Sequence, residues 1–157
     1  MRRANLQAGL FGAVLAVLLG VIALLPYVGL CLAMPLYPVA FFLTGLAVVR
    51  VSDQPLSVGQ AAAGGAVAGL IAGVIGGLAA MFLAPLRLAI AGGPEQAALI
   101  LSPEMTQSLL ARGLDPVAVM DFVGGVGAGI ACCGLQLTSG ILLAGTGAAL
   151  YAAYRRT

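Results

Sequence analysis

Histidine, lysine and tryptophan are absent from this chain. Without imidazole there is no histidine general base, no histidine metal ligand and no axial histidine for haem or chlorophyll. Without lysine there is no amine to form a Schiff base with retinal or pyridoxal phosphate. Charge of either sign is scarce: seven arginines and five acids make up 8% of the 157 residues, where a soluble domain carries about a quarter. A dispersed net charge of +2 leaves no electrostatic footprint for nucleic acid. The three cysteines, Cys31, Cys132 and Cys133, form no CxxC pair and read as small apolar packing residues. A disulfide between the adjacent Cys132 and Cys133 would strain a helix. No nucleophile stands beside a base and no paired carboxylates share a helix face. The sequence therefore predicts no enzyme, no metal and no cofactor.

What remains is apolar: 62% of the residues are hydrophobic, in continuous runs rather than the alternation of a membrane barrel. These runs predict an all-α integral membrane protein. It has four transmembrane helices, at about 6–25, 36–51, 58–84 and 119–153, and a short amphipathic helical insert between the third and fourth. All 157 residues form one bundle in the inner (cell) membrane.

Arg2 and Arg3 precede the first run, which lacks a small-x-small cleavage site, so it reads as an uncleaved span. Val28-Gly29-Leu30-Cys31 is a poor lipoprotein box, because Leu30 stands where a small residue is wanted. Pro26, Pro35 and Pro38 then interrupt an apolar stretch, predicting a turn and a kinked or re-entrant segment, with Tyr27 and Tyr37 at an interface. The second helix starts near Pro38, or earlier with a kink. VSDQPLS (51–57) is a polar linker. Ser57 and Gln60 have capping-box spacing, so the third helix starts there, and it ends around Pro85. Within 88–116, Gly93-Pro94-Glu95, Ser102-Pro103-Glu104 and Asp115-Pro116 read as helix starts, and Gly113 as a stop. Leu99, Ile100, Leu101, Met105, Leu109 and Leu110 supply an apolar face, for helices lying on the membrane or folded over the bundle.

From Pro116 the apolar sequence is long enough for about 50 Å of helix, against a hydrocarbon core of about 30 Å. One tilted helix is favoured over a hairpin breaking at 133–140. In that arrangement Arg2, Arg3, Arg50, Arg155 and Arg156 share one side, and Arg87 and Arg112 the other. The arginine bias puts both termini in the cytoplasm.

The densest pattern is in the third span. Gly65, Gly69, Gly73 and Gly77 recur every four residues, beside a second row of Gly64, Ala68, Ala72, Gly76 and Ala80. Such rows share a helix face and let another helix approach closely in lipid. Gly125 and Gly129 form a matching face on the fourth span, extended by Gly140, Ala144, Ala148 and Ala152. The third and fourth helices are therefore expected to meet, glycine against glycine, leaving the Gly64 row for an outside partner. The run Gly124–Gly129 does not fit GxGxxG and follows no strand, so no nucleotide site is predicted.

Asp121 has two readings: a headgroup-level acid paired with Arg87, or a proton or cation site near the outer face. Thr44, Thr138, Ser139 and Thr146 can bond their own helix carbonyls. Gln136 cannot be satisfied that way and is expected to reach a neighbouring helix. Asp121, Gln136 and Arg87 are thus the candidate polar pathway. Two roles follow. One is a non-catalytic accessory or structural subunit, with the bilayer and other membrane subunits or itself as partners. The other is a small homo-oligomeric transporter or channel.

Overall fold

The computed structural model describes residues 2–25, 28–52 and 55–155. Pro26, Tyr27, Asp53, Gln54 and Arg156, to which the sequence assigned a turn, an interface, a linker and a basic terminus, lie outside the described residues. Among the described residues there are helices and no strand. Four helices are long and apolar enough to cross a membrane: α1 (Arg2–Ile22), α2 (Val28–Val51), α3 (Val58–Ile90), and a continuous 39-residue run, Pro116–Tyr154. That run consists of α6 (Pro116–Asp121), a π-helical segment (Phe122–Gly127) and α7 (Ala128–Tyr154). Two short helices, α4 (Gly93–Leu99) and α5 (Pro103–Ala111), form the insert.

Local chemistry sets most boundaries. Ser57 Oγ accepts from the Gln60 backbone N–H at 3.2 Å, and Gln60 Oε1 accepts from the Ser57 N–H at 3.1 Å, closing a capping box on α3. Replacing Ser57 by alanine is expected to cost about 0.5–2 kcal/mol, measurable as a lower unfolding midpoint in a detergent titration. Ser102 accepts from Met105 N–H at 3.3 Å and Asp115 from Val117 N–H at 3.2 Å, each followed by proline at the first helical position. α5 stops where Gly113 turns to φ +71°, a left-handed conformation that glycine adopts without a Cβ penalty.

Prolines do not end helices here. α2 is helical from Val28, with Pro35 and Pro38 inside it, so residues 28–38 form no re-entrant segment. α3 continues past Pro85 to Ile90. Proline's φ suits a helix, and each removes one donor. Apolar surroundings offer the backbone no better partner than the helix itself. Nor does the fourth run break at 133–140. The Thr138, Ser139 and Thr146 hydroxyls bond carbonyls three or four residues back, so these side chains do not interrupt α7.

At 33 residues, α3 is about 50 Å long, and α7 is its most extensive neighbour. α1 packs on α3 and α2 on α7. At one end lie the start of α1, the end of α2, the start of α3 and the end of α7; here Arg50 Nε donates to the Tyr151 hydroxyl at 3.3 Å. The Arg50 and Arg155 guanidinium groups lie 5.6 and 5.8 Å from the Tyr151 ring centre, a cation–π pair. This is the termini end. At the other, the insert end, α4 packs on α6 and α3. No residue of α4 or α5 is buried, and Leu99 and Ile100 are 85% and 86% exposed.

Candidate functional site

The antiparallel α3–α7 contact is built from backbone rather than side chains. A methyl group on Gly65 would collide with the Ala144 carbonyl oxygen, and one on Gly69 with the Gly140 carbonyl oxygen. On Gly73 it would lie 2.8 Å from the Gln136 carbonyl oxygen, and on Gly77 2.7 Å from Cys133 Sγ. The mate of the Gly65 row is therefore the 133–148 stretch of α7. Gly129 sits further along the same seam, where a methyl would come within 2.9 Å of Met81 Cα. Gly125 meets only Pro85 Cβ, at 3.9 Å. The expected pairing of Gly125 and Gly129 with the Gly65 row is thus replaced by a register in which Gly69 faces Gly140. Fourfold spacing selects a helix face but leaves sliding along it free, and the closest backbone approach decides between registers. Gly45 of α2 also closes on the Ala144 carbonyl, a contact that no pattern around Gly45 announces.

The second row of α3 is not available to an outside partner. Ala68 and Ala72 are fully buried. A methyl on Gly64 would lie 3.0 Å from Asn5 Oδ1, and one on Gly76 2.8 Å from Ala16 Cβ. What covers this row is α1, whose buried face is itself small: Ala4, Ala8, Gly12 and Ala16 recur every four residues. That repeat is legible in the sequence, but with only one glycine among its members it carries a weaker signal than the Gly65 row.

The same α3 row passes two cavities. One, of about 400 Å³, opens toward the insert end among α1, α2, α3 and α7. Its walls are apolar, small at Gly20, Ala33, Ala80 and Ala84 and large at Met34 and Leu83; Tyr37, Cys132 and Gln136 also line it, and among the described residues Arg87 is its one charged lining residue. The other, of about 210 Å³, lies at the termini end among α1, α2 and α3, and Asn5, Ser52 and Gln60 line it with Gly64. Between them, among the described residues, lie buried side chains. Ala8, Val48 and Ala68 form one buried cluster. One turn further along, fully buried Thr44 presses on Gly12, with Ala72 beside it, while its hydroxyl donates to Ala40 O at 2.8 Å.

Gln136 is 7% exposed, and its Oε1 has no hydrogen-bond partner. That oxygen abuts Gly76, where a methyl would lie 2.5 Å away. The Tyr37 hydroxyl lies beside the Gln136 side chain and donates a long bond of 3.4 Å to Ala16 O. Tyr37 is half-buried and stacked at 6.4 Å on Phe41. Gln136 does reach a neighbouring helix, but incompletely. An orphaned buried oxygen costs about 1–3 kcal/mol, and such exceptions call for a reason.

Asp121 and Arg87 form no ion pair among the described residues. Asp121 is exposed, and the π segment separates it from the α3–α7 seam. A π-bulge carries an extra residue per turn, so a residue before it is swung about 100° from where an uninterrupted helix would hold it. Of the three polar-pathway candidates the structure brings together Gln136 and Arg87, on one cavity, and leaves Asp121 outside it. Gly124, inside the π segment, lines the cavity against Leu88. Tyr37, Thr44 and Asn5 complete the set; Tyr37 and Thr44 stood in the sequence as an interface residue and a self-satisfied hydroxyl, and Asn5 carried no signal. No protein-family model, no curated protein and no solved structure matches this chain.

Proposed function

We propose that the chain is a non-catalytic, multi-pass membrane protein that passes a small solute between its two end cavities, held here in a closed state. The observation that carries this reading is that both cavities lie among α1, α2 and α3, one toward each end of the bundle. The small α3 residues between them, Ala68, Ala72 and Gly76, leave room for a path. Thr44, packed on Gly12 with Ala72 beside it, stands between Gln136 and the termini-end cluster. The arginines at the termini end, Arg3, Arg50 and Arg155, favour a cytoplasmic position for that end and an extracytoplasmic one for the insert. The small-residue rows that favoured an accessory subunit lie inside the bundle. The surface left for a second copy of the chain is the fourth span: 11% of its apolar window is buried, against 33–39% in the other three.

Cysteine accessibility in sealed vesicles tests the path. In a background with Cys31, Cys132 and Cys133 replaced, Ala84→Cys should react with a charged methanethiosulfonate from the insert side only. Ala63→Cys should react from the termini side only, and Ala72→Cys from neither while the path is closed. Labelling of Ala63→Cys and Ala84→Cys by a lipid-soluble maleimide alone would mean that the cavities open to lipid, and would overturn the proposal.

A further inference from the structure

We infer that the insert-end cavity is a binding site for a small amphipathic monoanion, a medium-chain hydroxy acid, with its carboxylate at Arg87 and its hydroxyl at Gln136 and Tyr37. This rests on the cavity being open to water at the insert end, as proposed above, and names the class of molecule that enters there. Three observations define the class. The volume, about 400 Å³, falls at the small end of the range for ligand sites, about 300–1,000 Å³. Among the described lining residues charge is confined to Arg87, at the insert-end mouth, and its planar guanidinium suits a carboxylate. Polarity returns at the floor, in the Gln136 side chain and the neighbouring Tyr37 hydroxyl, residues that both line the cavity. Between mouth and floor the walls are apolar, and from Gly76 to Arg87 the α3 axis rises about 16 Å. A purely apolar chain would leave the amide unpaired; a short polar solute would leave the walls wet. A chain polar at both ends meets both conditions. A half-turn of the Gln136 amide exchanges its oxygen and nitrogen, so the floor can accept from or donate to a hydroxyl.

Cys132 lines the same cavity and provides the readout. In the full chain carrying Cys31→Ser and Cys133→Ala, in phosphatidylcholine nanodiscs, alkylation of Cys132 by N-ethylmaleimide is timed with added ω-hydroxydecanoate. Saturating ω-hydroxydecanoate should slow alkylation at least about tenfold. Decanoate, lacking the hydroxyl, and decane-diol, lacking the carboxylate, should each need about tenfold more ligand, the equivalent of about 1.4 kcal/mol. Gln136→Leu should abolish the preference for ω-hydroxydecanoate over decanoate while decanoate still protects, a change that mere structural damage would not produce. Ala84→Phe should fill the cavity and remove protection by all three, with the helical content unchanged. Equal protection by the three ligands would reveal partition into lipid or an acyl-chain site and overturn the assignment, as would no protection by any. If protection fails while the two-sided cysteine pattern holds, the ligand class is wrong and the path stands. If protection holds while that pattern fails, the site is a binding pocket without a path.

Discussion

Replacing Gly69 with leucine should destroy the folded bundle. The new side chain would start against the Gly140 carbonyl oxygen, with the carbonyl carbon 2.6 Å away and Ala144 Cβ at 2.9 Å. Two of those three atoms are backbone, so no rotamer change relieves the clash and the helices must separate. Even alanine here should cost about 1–3 kcal/mol, the usual range for overpacking. Leucine must break many dispersion contacts, each worth about 0.1–0.2 kcal/mol, along the most extensive helix pair in the molecule. A total stability of about 5–15 kcal/mol leaves little to absorb this. The control is Gly134→Leu on the same α7, where a Cβ meets nothing within 4 Å, and which should unfold at or above the wild-type midpoint, since leucine exceeds glycine in helix propensity by about 0.8–1 kcal/mol. Detergent-titrated unfolding by circular dichroism, with native mass spectrometry, reads both. A folded Gly69→Leu protein altered only in oligomer size would mean that this seam joins chains rather than helices of one chain.

The second large effect has the opposite sign. Pro35→Ala and Pro38→Ala should stabilise α2, each by about 1–3 kcal/mol. Proline in a helix interior is about 3 kcal/mol worse than alanine, and each substitution returns an N–H to a carbonyl four residues back, at Cys31 or Met34. Both prolines are exposed in the structure, so little packing is lost. The gain falls below the peptide value because nearby groups in a membrane helix re-satisfy freed carbonyls. A fall in the unfolding midpoint would show that the proline rings, or the bend they impose, hold α2 against its neighbours.

Legibility followed the range of the forces involved. The caps at Ser57, Ser102 and Asp115 were readable because a cap involves side chain and backbone within three residues. Helix content was readable because apolar runs must satisfy their backbone internally. Of the site, Gln136 was readable from its own chemistry, an amide too polar for its position. Tyr37 was not, because an aromatic with a hydroxyl suits an interface and a cavity wall equally well. The expected Asp121–Arg87 pair failed through the π segment, which three glycines (Gly124, Gly125 and Gly127) accommodate but which no periodicity announces.

By itself the sequence determined an all-helical chain with four helices fit to cross a membrane, the positions of most helix starts, and the absence of the residues that histidine and lysine chemistry requires. It also marked α3 as a helix with two bare faces. Only the tertiary structure decided what meets them: α7 on the Gly65 row in the register of Gly69 against Gly140, and α1 on the Gly64 row. The same packing left an unpartnered Gln136 oxygen beside a cavity. Composition and periodicity specify which face of a helix is bare. Register and cavities depend on how three or four such faces fit at once, to within the width of a methyl group.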